Sequence, residues 1–255
     1  MNRRDWTRDE LIVAFNLYCR IPFGRIHKSN PNIINIAESL KRTPSAVAMK
    51  MVNFASLDPT HRKRHVKGLR HASKNDRKIW EEFNQNWEAL ALESQKILYQ
   101  LGYIPETEKT IEDEIFQNIY KTELTRNVKV RLVQRFFRDT VLASYDFTCA
   151  MCRLAIPQML NASHIIPWSK NKSRRIDPRN GISLCVLHDR AFDRGLITVD
   201  KNYSVIISKI LKSKRKCQMF EIAFKEMSGK KIKMPERFLP DQNALEYHRQ
   251  KIFLS

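Results

Sequence analysis

The sequence predicts a mostly helical protein of two parts, with a small α+β module in its C-terminal half. Apolar residues recur at helical spacing through most of the first 145 residues. Three of the five cysteines and two of the seven histidines then fall within residues 149–200. The same segment contains an alternating, strand-like run at Leu160–Ile166. These observations predict a helical N-terminal part followed by a compact module rich in metal-ligand side chains.

The first part is predicted to begin with three helices between residues 6 and 57. Candidate N-cap residues precede them at Thr7, Asn30 and Thr43, and the second and third helices have proline in the first helical position. The turn between the second and third helices is short, which is typical of a helix-turn-helix unit. We therefore predict a helix-turn-helix-like N-terminal domain.

The third of these helices has two possible roles. The WTxxE start and the stretch RTPSAVAMK are similar to Myb-like and other helix-turn-helix modules. On this interpretation Ser45, Lys50 and Asn53 contact DNA. Alternatively, the three helices form a docking or dimerisation domain.

The middle of the chain contains the predicted domain boundary. A basic stretch at 61–78 leads into one long helix, which is predicted to begin at Ser73 with a capping box to Asp76 and to continue to Leu98. Residues 106–114 are acidic, and this change in sign marks the boundary. The predicted parts are a helical module at 1–104, a linker and connecting helix at 105–128, and the ligand-rich domain at 129–255.

A helix predicted over 129–145 leads directly to Cys149 and carries several arginines on its exposed side. The loop after the first predicted strand is also basic. Lysine and arginine side chains in such positions neutralise nucleic-acid phosphates. The residues predicted to contact nucleic acid are Lys50, Arg135, Arg138, Lys172, Arg174 and Arg175.

Two short motifs predict a zinc site. Cys149 and Cys152 form a Cys-x-x-Cys knuckle, and Cys185 and His188 form a Cys-x-x-His knuckle. Two such half-sites can bring thiolate and imidazole ligands together at about 2.0 to 2.3 Å from one tetrahedral ion. A single Cys-x-x-Cys pair would fit buried thiols or a redox pair equally well, and the second knuckle favours structural zinc.

A second pattern lies between and beside these knuckles. His164 is on the predicted strand, Asn180 precedes Gly181 after a basic loop, and a helix-like run VLHDRAFDRG follows. With the runs SHIIPWS, DPRNG and LHDRAFDRGLI, this order resembles the HNH endonucleases, a family with the ββα-metal fold. The resemblance covers residues 145–208 strongly and the tail PERFLPDQNALEYHRQKIF more weakly.

The resemblance implies a set of catalytic roles. His164 would be the general base, because a neutral imidazole with a pKa near the operating pH can take a proton from an attacking water. Asn180 would help to fix the orientation of that imidazole. The helix would supply ligands for one divalent ion (Mg, Mn or Ni) that neutralises charge on the phosphate. The implied catalytic residues are His164, Asn180 and His188.

Two departures from the family pattern leave the metal ligands open. Ser163 stands where many members have an acidic residue before the base. At the helix, either His188 completes the zinc site and Asp189 binds the catalytic metal, or His188 binds the catalytic metal and zinc has fewer ligands. Asp193 lies one turn further along the helix and is an additional carboxylate for either scheme. The predicted metal ligands are Cys149, Cys152, Cys185, His188 and Asp189.

Charge and composition restrict the partners. A formal net charge of +19 and a sequence pI near 9.9 indicate a polyanionic partner, and nucleic acid fits best. The sequence has no apolar run of membrane-spanning length and no secretion-type apolar segment near its start, so we expect a cytoplasmic protein without membrane contact. The six scattered glycines form no phosphate-binding loop, so we expect no nucleotide cofactor.

Together these features predict a metal-dependent DNA endonuclease. By analogy with related HNH domains, its role would be restriction or defence against foreign DNA. The alternative is a non-catalytic, zinc-braced DNA-binding regulator, which the serine at position 163 favours. An RNA nuclease is a third interpretation. A single active site nicks one strand, so cleavage of both strands would suggest a homodimer.

Overall fold

The computed structural model describes residues 4–63, 72–103, 126–213 and 217–255. The chain divides into two compact units, Met1–Phe136 and Phe137–Ser255. The connecting helix predicted within 105–128 and most of the basic stretch at 61–78 lie outside the described residues. The domain limits given above, with a linker at 105–128, stay a prediction.

The first unit consists of helices that begin where the capping residues predicted. Thr7 accepts a hydrogen bond from the Glu10 amide and the Glu10 carboxylate accepts one from the Thr7 amide, which is a complete capping box. Asn30 and Thr43 cap the next two helices as expected. The helices are α1 (Arg8–Arg20), α2 (Pro31–Ser39), α3 (Pro44–Leu57), α4 (Pro59–Lys63), α5 (Lys74–Phe83) and α6 (Trp87–Gln100), with a 3-10 turn at Phe23–Arg25.

The prediction of one long helix from Ser73 to Leu98 is wrong, although its capping box at Ser73 and Asp76 is confirmed. The chain leaves the helical conformation at Asn86, whose side chain accepts a hydrogen bond from the Ala89 amide and starts α6. Apolar residues keep helical spacing across this break. Periodicity alone therefore does not reveal it.

Of the three residues of α3 predicted to contact DNA, Ser45 is exposed, whereas Lys50 and Asn53 are buried. Lys50 is 7% exposed, and its ammonium lies 2.8 Å from the carboxylate of Asp76 and 5.1 Å from the centre of the Trp6 ring. In this structure Lys50 is not available for the predicted contact with DNA, because its long apolar stem packs inside the unit and its charge pairs with Asp76, which completes the capping box of α5.

The second unit contains two small antiparallel sheets and several helices. The helix α7 (Arg126–Ser144) begins in the first unit and continues into the second unit. The further elements of the second unit are β1 (Leu160–His164), β2 (Gly181–Cys185), α8 (Val186–Asp193), β3 (Ile197–Val199), β4 (Val205–Ile207), α9 (Lys209–Ser213), α10 (Gln218–Ala223) and α11 (Gln242–Lys251), with 3-10 turns at Pro157–Met159, Lys172–Arg174, Pro178–Asn180 and Lys225–Met227. The predicted hairpin after the ligand-rich segment is confirmed as β3 and β4.

The pairing of β1 with β2 positions the candidate site. Leu160 is opposite Cys185 at one end of the ladder, and His164 is opposite Gly181 at the other. A Cβ atom at Gly181 would lie 2.4 Å from the side chain of Val141, so only glycine lets the hairpin pack this closely on α7. The strand β2 is followed at once by α8, which gives the order β, β, α.

The C-terminal helix α11 is fixed to the hairpin module by a buried histidine. The His248 ring stacks on Phe192 with a centroid distance of 3.7 Å. Its Nε2 donates to the Phe192 carbonyl at 3.1 Å, and its Nδ1 accepts from the Thr198 hydroxyl at 2.8 Å. Burial lowers the pKa of His248 to about 4, so the ring is neutral at physiological pH.

Within the described ranges, none of the helices combines the length and apolar character needed to cross a bilayer.

We predict that Gly195→Ala destabilises the second unit more than Gly229→Ala. Both glycines have positive φ, +67° and +77°, so alanine at either costs about 1–2 kcal/mol in backbone strain. At Gly195 a Cβ would also lie 2.0 Å from the carbonyl oxygen of Ile252, whereas at Gly229 no atom lies within 4 Å. Urea unfolding followed by circular dichroism should show the difference, and equal losses for the two variants would contradict this packing.

Candidate active site

Four ligand-type side chains converge beside α8. The ligand atoms of Cys149, Cys152, Cys185 and His188 all lie within 4.8 Å of one another. The two sulfur atoms of Cys152 and Cys185 are 3.8 Å apart, and the Nδ1 atom of His188 is 3.6 Å from the sulfur of Cys149. Tetrahedral ligands at about 2.3 Å from one ion are about 3.8 Å from each other. The cluster therefore has the composition and spacing to hold a metal ion.

Local backbone structure explains why these residues meet. The first knuckle is a tight turn in which the Arg153 amide donates to the Cys149 carbonyl at 3.1 Å and Arg153 has a φ of +66°. The Ala150 amide donates to the Ser183 carbonyl at 2.7 Å, which attaches this turn to β2. Cys185 ends β2 and is the N-cap of α8, so His188 lies in the first helical turn beside it.

Hydrogen bonding fixes which nitrogen of His188 faces the cysteines. Its Nε2 lies 2.8 Å from the carbonyl oxygen of Ala223, which can only accept, so Nε2 carries a proton. Nδ1 lies 3.1 Å from the sulfur of Cys185 and is the nitrogen that can bind a metal ion. Hydrogen bonds from Cys149 and Cys152 lower the pKa of Cys185, so this thiol ionises readily. The structure thus brings His188 to the three cysteines.

His164 has a similar arrangement in a different place. Its Nε2 donates to the carbonyl oxygen of Arg175 at 2.8 Å, and its ring stacks on Phe137 with a centroid distance of 4.0 Å. The ring of Trp168 meets it edge-on at 5.7 Å. Burial lowers the pKa of His164, and the Arg175 carbonyl and the charge of Asp189 only partly oppose this. The imidazole is therefore neutral near pH 7, with its lone pair on Nδ1.

Asn180 acts on the backbone rather than on the imidazole itself. Its side-chain oxygen accepts from the Ile166 amide at 2.8 Å. Its side-chain nitrogen donates to the carbonyls of Ile166 at 3.1 Å and Arg174 at 3.2 Å. Asn180 is buried and so fastens together the two ends of the loop between β1 and β2. Because Arg174 precedes the residue that accepts from His164, this contact supports the orientation predicted for the imidazole.

A carboxylate on α8 is oriented by a residue that the sequence analysis missed. The side-chain amide of Asn161 on β1 donates to Asp189 Oδ2 at 2.7 Å. Within the part of the chain described here, Asp189 Oδ1 has no hydrogen-bond partner. Asp193 lies one turn further on, and partial desolvation together with the charge of Asp189 raises the pKa of its carboxyl group to about 6. Asn161 could have been identified only from the strand register, which places it beside α8.

Ser163 lies where a carboxylate was expected by the family pattern. The residue is 2% exposed, and its hydroxyl oxygen has no hydrogen-bond partner among the described residues. The position at which this sequence departs from the family pattern is therefore buried and does not lie on the surface.

The arginines predicted to contact nucleic acid fall into different settings. Arg138 on α7 donates to the carbonyls of Leu160 at 2.7 Å and Pro157 at 3.4 Å, so it holds the start of β1. Arg135 is half-buried on the same helix, in the first unit. Within the loop between β1 and β2 the three basic residues differ. Lys172 is exposed. Arg174 forms ion pairs with Asp177 at 3.4 Å and Asp241 at 3.1 Å. Arg175 lies over the Trp168 ring at 5.1 Å, and its Nε donates to the Trp168 carbonyl at 2.7 Å. The terminal nitrogens of Arg175 have no partner in the described ranges, so its guanidinium can contact a phosphate.

The strands β1 and β2, the helix α8 and the Cys/His cluster at their junction form a small ββα module. Residues 149–200 match the family described as HNH endonuclease, which supports assigning this segment to that family. The match spans 52 of the 255 residues, counted from 149 to 200. No curated protein matches the chain at a significant level. The family indicates a metal-dependent nuclease with DNA as substrate.

We predict that the purified protein carries about one tightly bound metal ion per chain at the Cys/His cluster. Cys185→Ser should lose most of this ion and lower the melting temperature, because it removes a buried ligand. Cys217→Ser is the matched control, since Cys217 is exposed and outside the cluster. Elemental analysis by mass spectrometry measures the ion, and equal metal content in the two variants would exclude the cluster as the site.

Proposed function

We propose that this chain is a metal-dependent endonuclease that hydrolyses phosphodiester bonds in DNA, with His164 as the general base. The hydrogen bond from His164 Nε2 to the Arg175 carbonyl carries this proposal. It fixes the tautomer, so that Nδ1 has its lone pair available to accept a proton. A buried histidine with only a structural role would need no such unpaired nitrogen.

In this proposal His164 Nδ1 accepts the proton of a water molecule that attacks the scissile phosphorus. The lowered pKa keeps the imidazole neutral and able to accept at physiological pH. The stack on Phe137 and the loop held by Asn180 keep the ring in one orientation. As the resemblance to HNH nucleases implies, the bond between the scissile phosphorus and the 3′ oxygen breaks, which leaves 5′-phosphate and 3′-hydroxyl ends.

Two chemically different ligand sets suggest two metal functions. Asp189 and Asp193 are hard oxygen ligands of the kind that bind Mg or Mn, and Ni is a further candidate. A divalent ion there would neutralise charge on the scissile phosphate and on the leaving oxygen. Asn161 holds one oxygen of Asp189 and leaves the other for this purpose.

The second ligand set suits a structural ion. Thiolate ligands favour zinc, and we propose that Cys149, Cys152, Cys185 and His188 bind it. His188 then completes the zinc site and is not a catalytic ligand. The short distance from its Nδ1 to the sulfur of Cys185 and its Nε2 bond to the Ala223 carbonyl support this choice.

Phosphate contacts in this proposal come from the loop between β1 and β2. Arg175 has its guanidinium plane fixed on Trp168, and its own carbonyl accepts the hydrogen bond that orients the base. Lys172 is exposed on the same loop. The net charge of +19 supports binding of a polyanion in general. The nuclease module in this proposal comprises residues 129–255.

We further propose a role in restriction or defence against foreign DNA, by analogy with related HNH domains. One observation favours the alternative, a zinc-braced regulator without catalysis. Ser163 supplies no carboxylate beside the base, and its hydroxyl is buried. The Asn161–Asp189 pair favours the nuclease, because it orients an acidic ligand toward the same region as His164.

We predict that the purified protein nicks or linearises supercoiled plasmid only when Mg, Mn or Ni is present. His164→Ala should cleave at least about 100-fold more slowly, since general-base catalysis contributes about 10² to 10⁴ in rate. His27→Ala is the matched control, because His27 is exposed in the first unit. Gel electrophoresis of timed reactions, with and without chelator, measures the rates.

Two outcomes would contradict the proposal. Cleavage by His164→Ala at the wild-type rate would remove His164 as the base. Wild-type protein that binds modified and unmodified DNA but cuts neither would support the regulator instead.

A further inference from the structure

The orientation of His164 depends on two adjacent carbonyl groups in the loop between β1 and β2. The Arg175 carbonyl accepts from His164 Nε2 at 2.8 Å, and the carbonyl before it, that of Arg174, accepts from Asn180 at 3.2 Å. A shift of these two adjacent carbonyls would move or release the imidazole. Whatever holds residues 174 and 175 therefore holds the base.

The Arg174 side chain connects this backbone segment to a distant part of the chain. Its guanidinium donates to Asp177 Oδ2 at 3.4 Å within the loop and to Asp241 Oδ1 at 3.1 Å. Asp241 is 67 residues away in sequence and is the N-cap of α11, where its side chain accepts from the Ala244 amide at 3.0 Å. The loop is thus attached to the start of the C-terminal helix.

A backbone contact reinforces this attachment. The Asp241 amide donates to the Arg179 carbonyl at 2.9 Å, immediately before Asn180. Asp241 therefore touches the loop at two places, through its backbone near Asn180 and through its carboxylate at Arg174. The helix α11 is itself fixed to α8 by the His248 contacts to Phe192 described above.

We propose that Asp241 and Arg174 are positioning residues for the general base, acting through the adjacent carbonyl groups of residues 174 and 175. This inference rests on the proposed function of His164. It assigns Arg174 a different task from the phosphate contact predicted from the sequence, because its guanidinium is already paired with two carboxylates. Arg175, with its terminal nitrogens unpaired among the described residues, keeps the phosphate-binding role.

The test is Asp241→Asn in the full-length protein. Asparagine is a good N-cap, so α11 should keep its start while the charge that holds Arg174 is lost. We expect kcat for plasmid cleavage to fall about ten- to one-hundred-fold, because small misplacement of a catalytic group has effects of this size, with KM for DNA unchanged. Glu246→Gln is the matched control. Glu246 is an exposed acidic residue on α11, and its substitution makes the same change in net charge.

A second readout does not depend on catalysis. Long-range proton–nitrogen NMR spectra of protein with labelled histidine report which ring nitrogen of His164 carries the proton. Wild type and Glu246→Gln should show a single Nε2-protonated form, whereas Asp241→Asn should show a mixture of tautomers. If wild type cleaves nothing, the proposed function fails, but the tautomer comparison still decides whether Asp241 holds the ring.

Direct phosphate binding by Arg174 makes the opposite prediction. Asp241→Asn would then release Arg174 for DNA, so KM would fall while kcat and the His164 tautomer stayed unchanged. That result would overturn the proposal. If Asp241→Asn does not fold, as judged by thermal unfolding, Arg174→Lys replaces it, since lysine keeps the charge but cannot bridge both carboxylates with a planar fork. A wild-type tautomer and kcat in that variant would equally overturn it.

Discussion

The convergence of three cysteines and one histidine on a single point is the constraint on which the C-terminal unit depends. Cys149 and Cys152 precede β1, whereas Cys185 and His188 join β2 to α8, so the cluster closes the hairpin module at one end. In the same ladder His164 lies opposite Gly181 at the other end. The cluster and the proposed base therefore lie at opposite ends of one strand pair.

Adjacent helical residues point in different directions, and this separates the two proposed metal sites. Successive side chains on an α-helix are rotated by about 100°. His188 consequently faces the cysteines, while Asp189 faces Asn161 on β1. In the proposed function, a single turn of α8 completes a structural site and presents a carboxylate toward the base. The hydrogen bonds to Ala223 and Asn161 orient the two ligands independently.

Local signals predicted much of this arrangement, and distant contacts account for the rest. N-caps such as Thr7, the two knuckles and the order of strand, loop and helix depend on neighbouring residues, so they can be read from the sequence. Three contacts join residues that are far apart in the chain. They are the ion pair of buried Lys50 with Asp76, the hydrogen bond between Asn161 and Asp189, and the ion pair between Arg174 and Asp241. No spacing rule predicts them, because they arise only when separate elements pack.

The assignment of adjacent residues to different metals can be tested directly with Asp189→Asn. This change keeps the shape of the side chain and leaves the Cys/His cluster intact. The account predicts that the variant retains about one zinc ion per chain, by elemental analysis, but loses metal-dependent plasmid cleavage by at least about 100-fold. Loss of zinc together with activity, or wild-type cleavage without the carboxylate, would contradict it.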